Sequence, residues 1–123
     1  MQFTIDVSPR SKKNSQQILV NRKTGRPFIA PSSAYKAYRK AALMMIPSEA
    51  QQHINYPVNI KALFYMPTRR ACDLNNMLEA LDDVLVDAGV IEDDNCNIVV
   101  GHDGSRVLYD KEYPRTFVEI TRL

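Results

Sequence analysis

The sequence predicts an α+β domain, a mixed β-sheet with two main helices packed on it, and three observations predict it. Apolar and polar residues alternate over 1–7 and 58–66, the period of half-buried strands. Two other stretches repeat apolar residues at helical spacing, one after Pro31-Ser32-Ser33 and one after Asp73. No repeat, low-complexity tract or linker divides the 123 residues, a length suited to one hydrophobic core, so residues 1–123 are expected to form one domain.

Phe3, Ile5 and Val7 share one face of the first strand, which Pro9 ends. Arg10-Ser11-Lys12-Lys13-Asn14-Ser15 is polar and cationic and cannot build core. Ile18-Leu19-Val20 and Phe28-Ile29 flank the turn-rich Asn21-Arg22-Lys23-Thr24-Gly25-Arg26, which predicts a hairpin. After the cap at Pro31-Ser32-Ser33, Tyr35, Tyr38, Ala42, Met45 and Ile46 form the apolar face of a helix that Pro47 stops, with Lys36, Arg39 and Lys40 on its basic face. Val58, Ile60, Ala62, Phe64 and Met66 take alternate places in a strand ended by Pro67. Leu74, Leu78, Leu81, Leu85 and Ala88 mark the buried stripe of a second helix, with Asp73 as N-cap and Gly89 just past its end. The acidic turn Glu92-Asp93-Asp94 leads into Ile98-Val99-Val100, and two last strands are expected around Ser105–Tyr109 and Thr116–Arg122. The order reads β, hairpin, α, β, α, β, β.

Hydrophobic residues make up 45% and charged residues 24% of the chain, ordinary values for a globular protein. No apolar run approaches the roughly 18 to 20 residues of a membrane span, and Ala41–Ile46 is too short. The N-terminus alternates like a strand and has no signal-peptide pattern, so a cytoplasmic location is expected. Cys72 and Cys96 lack the paired spacing of a zinc site and are expected to be free thiols. His53 and His102 are read as surface or loop residues, with a general-base role open for His102. Tyr56, Tyr65, Tyr109 and Tyr113 are read as edge-of-core residues and given no function.

Charge is unevenly distributed. Residues 1–70 carry twelve Lys or Arg against Asp6 and Glu49, a balance of +10; residues 71–123 carry four against twelve acids, a balance of −8. One half is suited to polyanions and the other to cations, unless the halves simply pair with each other by salt bridges.

Asn76, Glu79 and Asp83, at i, i+3 and i+7, share one helical face opposite the leucine stripe, and the Asp93-Asp94 turn can fold back toward the same region. Clustered carboxylates suit a hard divalent ion such as Mg²⁺, which takes oxygen ligands and shares them with water and phosphate. A cationic surface beside such a cluster suits phosphodiester chemistry: cations hold the backbone while the ion polarises the phosphate and activates water. Spacing alone equally allows Asp73 as a plain N-cap, Glu79 and Asp83 as solvated residues and the 92–95 segment as a surface turn.

Asp73-Leu74-Asn75-Asn76, the helix carrying Glu79 and Asp83, and Asp87-Ala88-Gly89-Val90-Ile91-Glu92-Asp93-Asp94 together resemble the signature of the RusA family of Holliday junction resolvases. There a D-x-D-N element opens a helix and a D-D pair follows the glycine after it. Pro9–Ser15, the helix start at 31–35 and the strand before Met66-Pro67 extend the resemblance over nearly the whole chain.

The resemblance implies a Mg²⁺-dependent endodeoxyribonuclease, with Mn²⁺ as an alternative ion, that resolves four-way DNA junctions by paired nicks in recombination and repair and acts as a homodimer. It places the family's first essential aspartate on Asp73 and its last on Asp94. The second aspartate of D-x-D falls on Asn75, and a lysine prominent in the family falls on Glu79, so the carboxylate count is kept. Asp73, Asn75 and Asp94 are thus the expected catalytic residues, and Asp73, Glu79, Asp83 and Asp94 the expected metal ligands. Arg10, Lys12, Lys13, Arg69 and Arg70 are expected to contact DNA phosphates, unless they are plain surface. Two alternatives stay open: a non-catalytic DNA-binding or regulatory protein, since Asn75 brings no charge, and a nuclease for other branched DNA.

Overall fold

A computed structural model describes residues 1–12, 16–31 and 33–123. In chain order the elements are β1 (Gln2–Ile5), β2 (Gln16–Val20), β3 (Pro27–Pro31), α1 (Ser33–Met45), a 3₁₀ turn (Ser48–Ala50), β4 (Val58–Met66), α2 (Leu74–Asp87), β5 (Val99–Gly101), β6 (Arg106–Tyr109) and β7 (Arg115–Arg122). This is the expected α+β architecture, with a mixed sheet and two main helices. No helix among the described residues is long and apolar enough to cross a membrane.

The main sheet runs β1-β7-β4, and the far edge of β4 is shared by β5 and β6, each parallel to it. β2 and β3 form a separate antiparallel hairpin, as the turn residues between them predict. Alternation explains which face of the sheet is buried. Val58, Ile60, Ala62 and Phe64 of β4 are buried, and the antiparallel register sets Ile60 against Ile120, Ala62 against Val118 and Phe64 against Thr116. Phe3 and Ile5 of β1 extend this apolar surface. Tyr35, Tyr38 and Ala42 of α1 and Met77, Leu78, Ala80, Leu81, Val84 and Leu85 of α2 belong to the same core.

Two expectations are corrected. Met45 does not lie on the buried face of α1: it is 41% exposed, because the buried positions 35, 38, 42 and 46 step by three or four residues and leave Met45 on the flank. In α2, Leu74 and Ala88 at the ends of the stripe are only half-buried, while Met77, Ala80 and Val84 widen it.

The ends of α2 follow from its sequence. Asp73 is the N-cap, its side chain accepting the amide of Asn75 at 2.9 Å. At the other end Gly89 has φ 77°, Val90 N–H donates to Leu85 O and Gly89 N–H to Val86 O, the paired bonds of a Schellman turn. A Cβ at Gly89 would also meet His53 Cε1 at 2.8 Å. Gly89→Ala is therefore expected to lower stability by about 1–2 kcal/mol, the cost of a left-handed conformation for an L side chain, read as a lower urea midpoint. An unchanged midpoint would contradict the glycine assignment.

From this turn, Ile54 N–H donates to Val90 O and Glu92 N–H to Ile54 O, fixing Val90-Ile91 beside residues 53–54. The acidic turn after Ile91 is thereby anchored to the body of the fold.

Candidate functional site

Two recesses collect the residues singled out by sequence, and they lie toward opposite ends of α2. The first, about 340 Å³, is lined by Lys12, Asp83, Val86, Asp87, Asp93 and Asp94. Asp83 and Asp87 come one turn apart from the outer face of α2, and Asp93-Asp94 come from the anchored turn. The fold thus brings Asp94 to Asp83 across the Schellman turn, as expected.

Within the turn the two neighbouring aspartates differ. Asp93 is consumed by local structure: it accepts Asp94 N–H at 2.8 Å and the Asn95 amide at 2.9 Å, and these donors hold its carboxyl below the usual carboxylate range. Asp94 is pushed up, first by desolvation and then by the carboxylates of Asp93 and Asp82. A carboxylate raised by its neighbours' charge is one that a cation would relieve.

A cation is already at hand. Lys12 Nζ sits 2.5 Å from Asp83 Oδ2, and this carboxylate holds the ammonium above the usual lysine value. Arg39 binds Asp87 at 2.5 Å. Both pairs join the basic half of the chain to the acidic half, so part of the charge asymmetry is indeed spent on internal pairing. Lys12, expected on DNA phosphate, is placed on a carboxylate instead. Lys13 lies outside the described residues.

The second recess, about 480 Å³, is lined by Ser8, Pro9, Arg10, Ser11, Met66, Pro67, Thr68, Arg70, Ala71, Cys72 and Met77. It gathers two of the expected phosphate contacts, Arg10 and Arg70, from segments sixty residues apart, together with hydroxyl side chains. Arg69 is exposed and stacks its guanidinium 4.2 Å from the ring centre of Tyr109. Asp73 follows directly on this loop, at the α2 N-terminus, where its carboxylate is engaged in capping.

Asp73 does not line the recess of Asp83 and Asp94. Ten residues of helix separate Asp73 from Asp83, about 15 Å along the axis. Glu79 is exposed on the face between them. Among the described residues, no group of three or more His, Cys, Asp or Glu is close enough to hold a metal ion. The donor set around Asp83 and Asp94 nevertheless fits Mg²⁺ bound through one or two carboxylates and its own waters, and the Lys12 ammonium stands in for the positive charge there. A third recess, about 590 Å³, lies at the far end of β4 among Met1, Pro47, Tyr56 and Arg122, and none of the expected site residues lines it.

Sequence reasoning missed a buried pair beside this site. The edge of β4 changes partner between β5 and β6, and there side chains replace the ladder. Ser105 Oγ accepts Ala62 N–H at 3.0 Å, Asn59 bonds the backbone of Asp103, and His102 Nδ1 lies 2.8 Å from Ile60 O. His102 Nε2 lies 2.9 Å from Asp82 Oδ2 on α2. His102 is therefore half-buried and paired, not a surface residue. Asp82 is only 8% exposed, a carboxylate beside Leu81 on the inward side of the helix. The signal was present: an acid interrupting an apolar stripe needs an internal partner, and His102 is one of only two histidines.

Both ring nitrogens of His102 face acceptors, so both carry protons when Asp82 is ionised. Burial pulls the imidazole down, but the bond and charge of Asp82, with the Ile60 carbonyl, outweigh it and leave His102 above 6.5. A histidine raised in the native state stabilises fully below its unfolded value and loses that contribution as pH rises through the native one. Stability in EDTA is expected to fall as pH rises above 6.5, and His102→Gln to flatten that slope. Parallel urea-midpoint profiles for the two proteins would count against the pair.

The family model for Endodeoxyribonuclease RusA matches residues 6–121. A 42-residue stretch is 43% identical to the Crossover junction endodeoxyribonuclease RusA of Aquifex aeolicus (strain VF5), covering 34% of this chain. That alignment spans about a third (33%) of the relative's length. With the family pattern running through both recesses and α2 between them, the chain belongs to the RusA endodeoxyribonuclease family.

Proposed function

We propose that this protein is a divalent-metal-dependent endodeoxyribonuclease that resolves four-way DNA junctions by paired nicks, acting in the cytoplasm in recombination and repair. The observation that carries the reading is the family match over 6–121, which includes the arginine-lined and the carboxylate-lined recess at the two ends of one helix. Mg²⁺ is the expected ion, with Mn²⁺ as an alternative, since the donors are carboxylates. When bound, such an ion supplies charge stabilisation at the scissile phosphate and a more acidic water.

The chain's own residues divide the remaining work. Arg10 and Arg70 take phosphates flanking the cut, with Arg69 outside them. Asp83 and Asp94 hold the ion, with Glu79 one turn before Asp83 on the same face. Asp73 and Asn75, at the start of α2, act beside the arginine recess.

A homodimer belongs to this reading, because two symmetric cuts match a two-fold pair of sites.

Synthetic four-way junctions, flaps and linear duplex, incubated with the protein in Mg²⁺ or EDTA, test the reading. Symmetric nicks in junctions that EDTA abolishes are expected. Binding without cutting would favour a regulatory protein with an impaired site at Asn75, and preference for flaps or duplex would favour a different branched substrate.

A further inference from the structure

Tyr109, the last residue of β6, has no role in the reading above, and the sheet register sets it beside the arginine recess. β6 runs parallel to β4 with Tyr109 opposite Met66, and residues in register on neighbouring strands point to one face. Met66 lines the recess of Arg10 and Arg70, so Tyr109 stands at its rim, 39% exposed. Arg69, from the loop that also supplies Arg70, lays its guanidinium 4.2 Å from the ring centre. Among the described residues, no carboxylate pairs with the side chains of Arg10, Arg69 or Arg70. The neighbouring stack differs. Tyr65, one place before Met66, points to the other face, where Arg115 lies 3.7 Å from its ring centre and 4.4 Å from that of Tyr113. That guanidinium is bonded to Asp110 at 2.9 Å. One end of the sheet thus carries a neutralised arginine–tyrosine stack on one face and, on the other, a stack with its charge uncompensated beside two further arginines.

Guanidinium groups without carboxylates suit phosphate, and an exposed planar stack suits a flat ring. A nucleotide offers both together only outside the duplex, because paired bases are covered above and below by their neighbours, whereas an unpaired base presents its face to aromatic and guanidinium planes. We propose that the Arg69–Tyr109 stack receives an unpaired base of the branched DNA, while Arg10 and Arg70 hold the phosphates of the same strand in the recess beside it. Unbroken duplex gives this surface phosphates alone, so the stack favours DNA whose strands part. This assignment rests on the resolvase reading and specifies which part of the substrate the arginine recess meets.

Binding of the full-length protein to a four-way junction, a single-stranded oligonucleotide and an unbroken duplex, measured by fluorescence anisotropy in EDTA at one salt concentration, tests it apart from cleavage. Tyr109→Ala is expected to weaken binding to the junction and the single strand by about 5- to 150-fold, the usual effect of removing one base-stacking ring, and to leave duplex affinity at the wild-type level. Tyr109→Phe, which keeps the ring, should bind all three as the wild type does, and so should Tyr113→Ala on the opposite face. Tyr109→Leu, which keeps apolar bulk without a ring, carries the test should Tyr109→Ala fail to fold. Unchanged affinities, or an equal loss on all three DNAs, would overturn the stacking site while the resolvase reading stands. A loss that accompanies dissociation of a dimer in sedimentation would make Tyr109 a subunit contact and overturn it likewise. If the wild-type protein binds no junction, both fall together.

Discussion

Asp94→Asn is expected to lower the junction-cleavage rate by at least about 100-fold, because an ion misplaced from the phosphate forfeits several kcal/mol of charge stabilisation and each 1.36 kcal/mol is tenfold in rate. Stability should move the other way. Desolvation, followed by Asp93 and Asp82, raises the Asp94 carboxyl, and an acid raised in the native state costs stability whenever it is ionised. The cost is absent below the unfolded value near 3.8 and grows as pH rises through the native one. In EDTA at neutral pH the variant should therefore melt at or above the wild type, and the difference should vanish in acid. Added Mg²⁺ should stabilise the wild type by mass action and leave the variant unmoved. Cleavage assays and melting curves on the same preparations check both halves. A variant that cleaves normally, or that melts well below wild type in EDTA, would remove Asp94 from the site.

Phe64→Ala carries the largest expected stability effect. Phe64 is 1% exposed at the centre of the sheet, paired to Thr116 of β7 on one side and Val107 of β6 on the other. Truncating it removes buried apolar surface and leaves a cavity, typically about 3–5 kcal/mol, out of the roughly 5–15 kcal/mol that a domain possesses. For a chain of this size the melting temperature should fall by about 10–20 °C. Met44→Ala is the matched control: at 80% exposure on α1 it should stay within about 0.5 kcal/mol of wild type. Comparable losses for both would mean that the register placing Phe64 inside is wrong.

The elements and their limits were legible because their causes are local. Alternation from Val58 to Phe64 chose the buried face of β4, Asp73 and Gly89 bounded α2, and the turn residues between Val20 and Pro27 announced the hairpin. The broken edge of β4 was not legible. Two short apolar runs after α2 read simply as strands, and only their parallel pairing with successive halves of β4 creates the gap from which His102 reaches Asp82.

Sequence by itself determined the α+β composition, the family pattern and the candidate acids, since these depend on residue types and on periodicities of a few residues. Tertiary structure alone decided that Asp94 lines a recess with Asp83, that Lys12 meets a carboxylate 71 positions away, and that Asp82 faces inward onto a histidine. Such pairings arise from how a rigid helix lies across a sheet, and a helix of fourteen residues keeps its two ends apart whatever chemistry the residues at those ends might share.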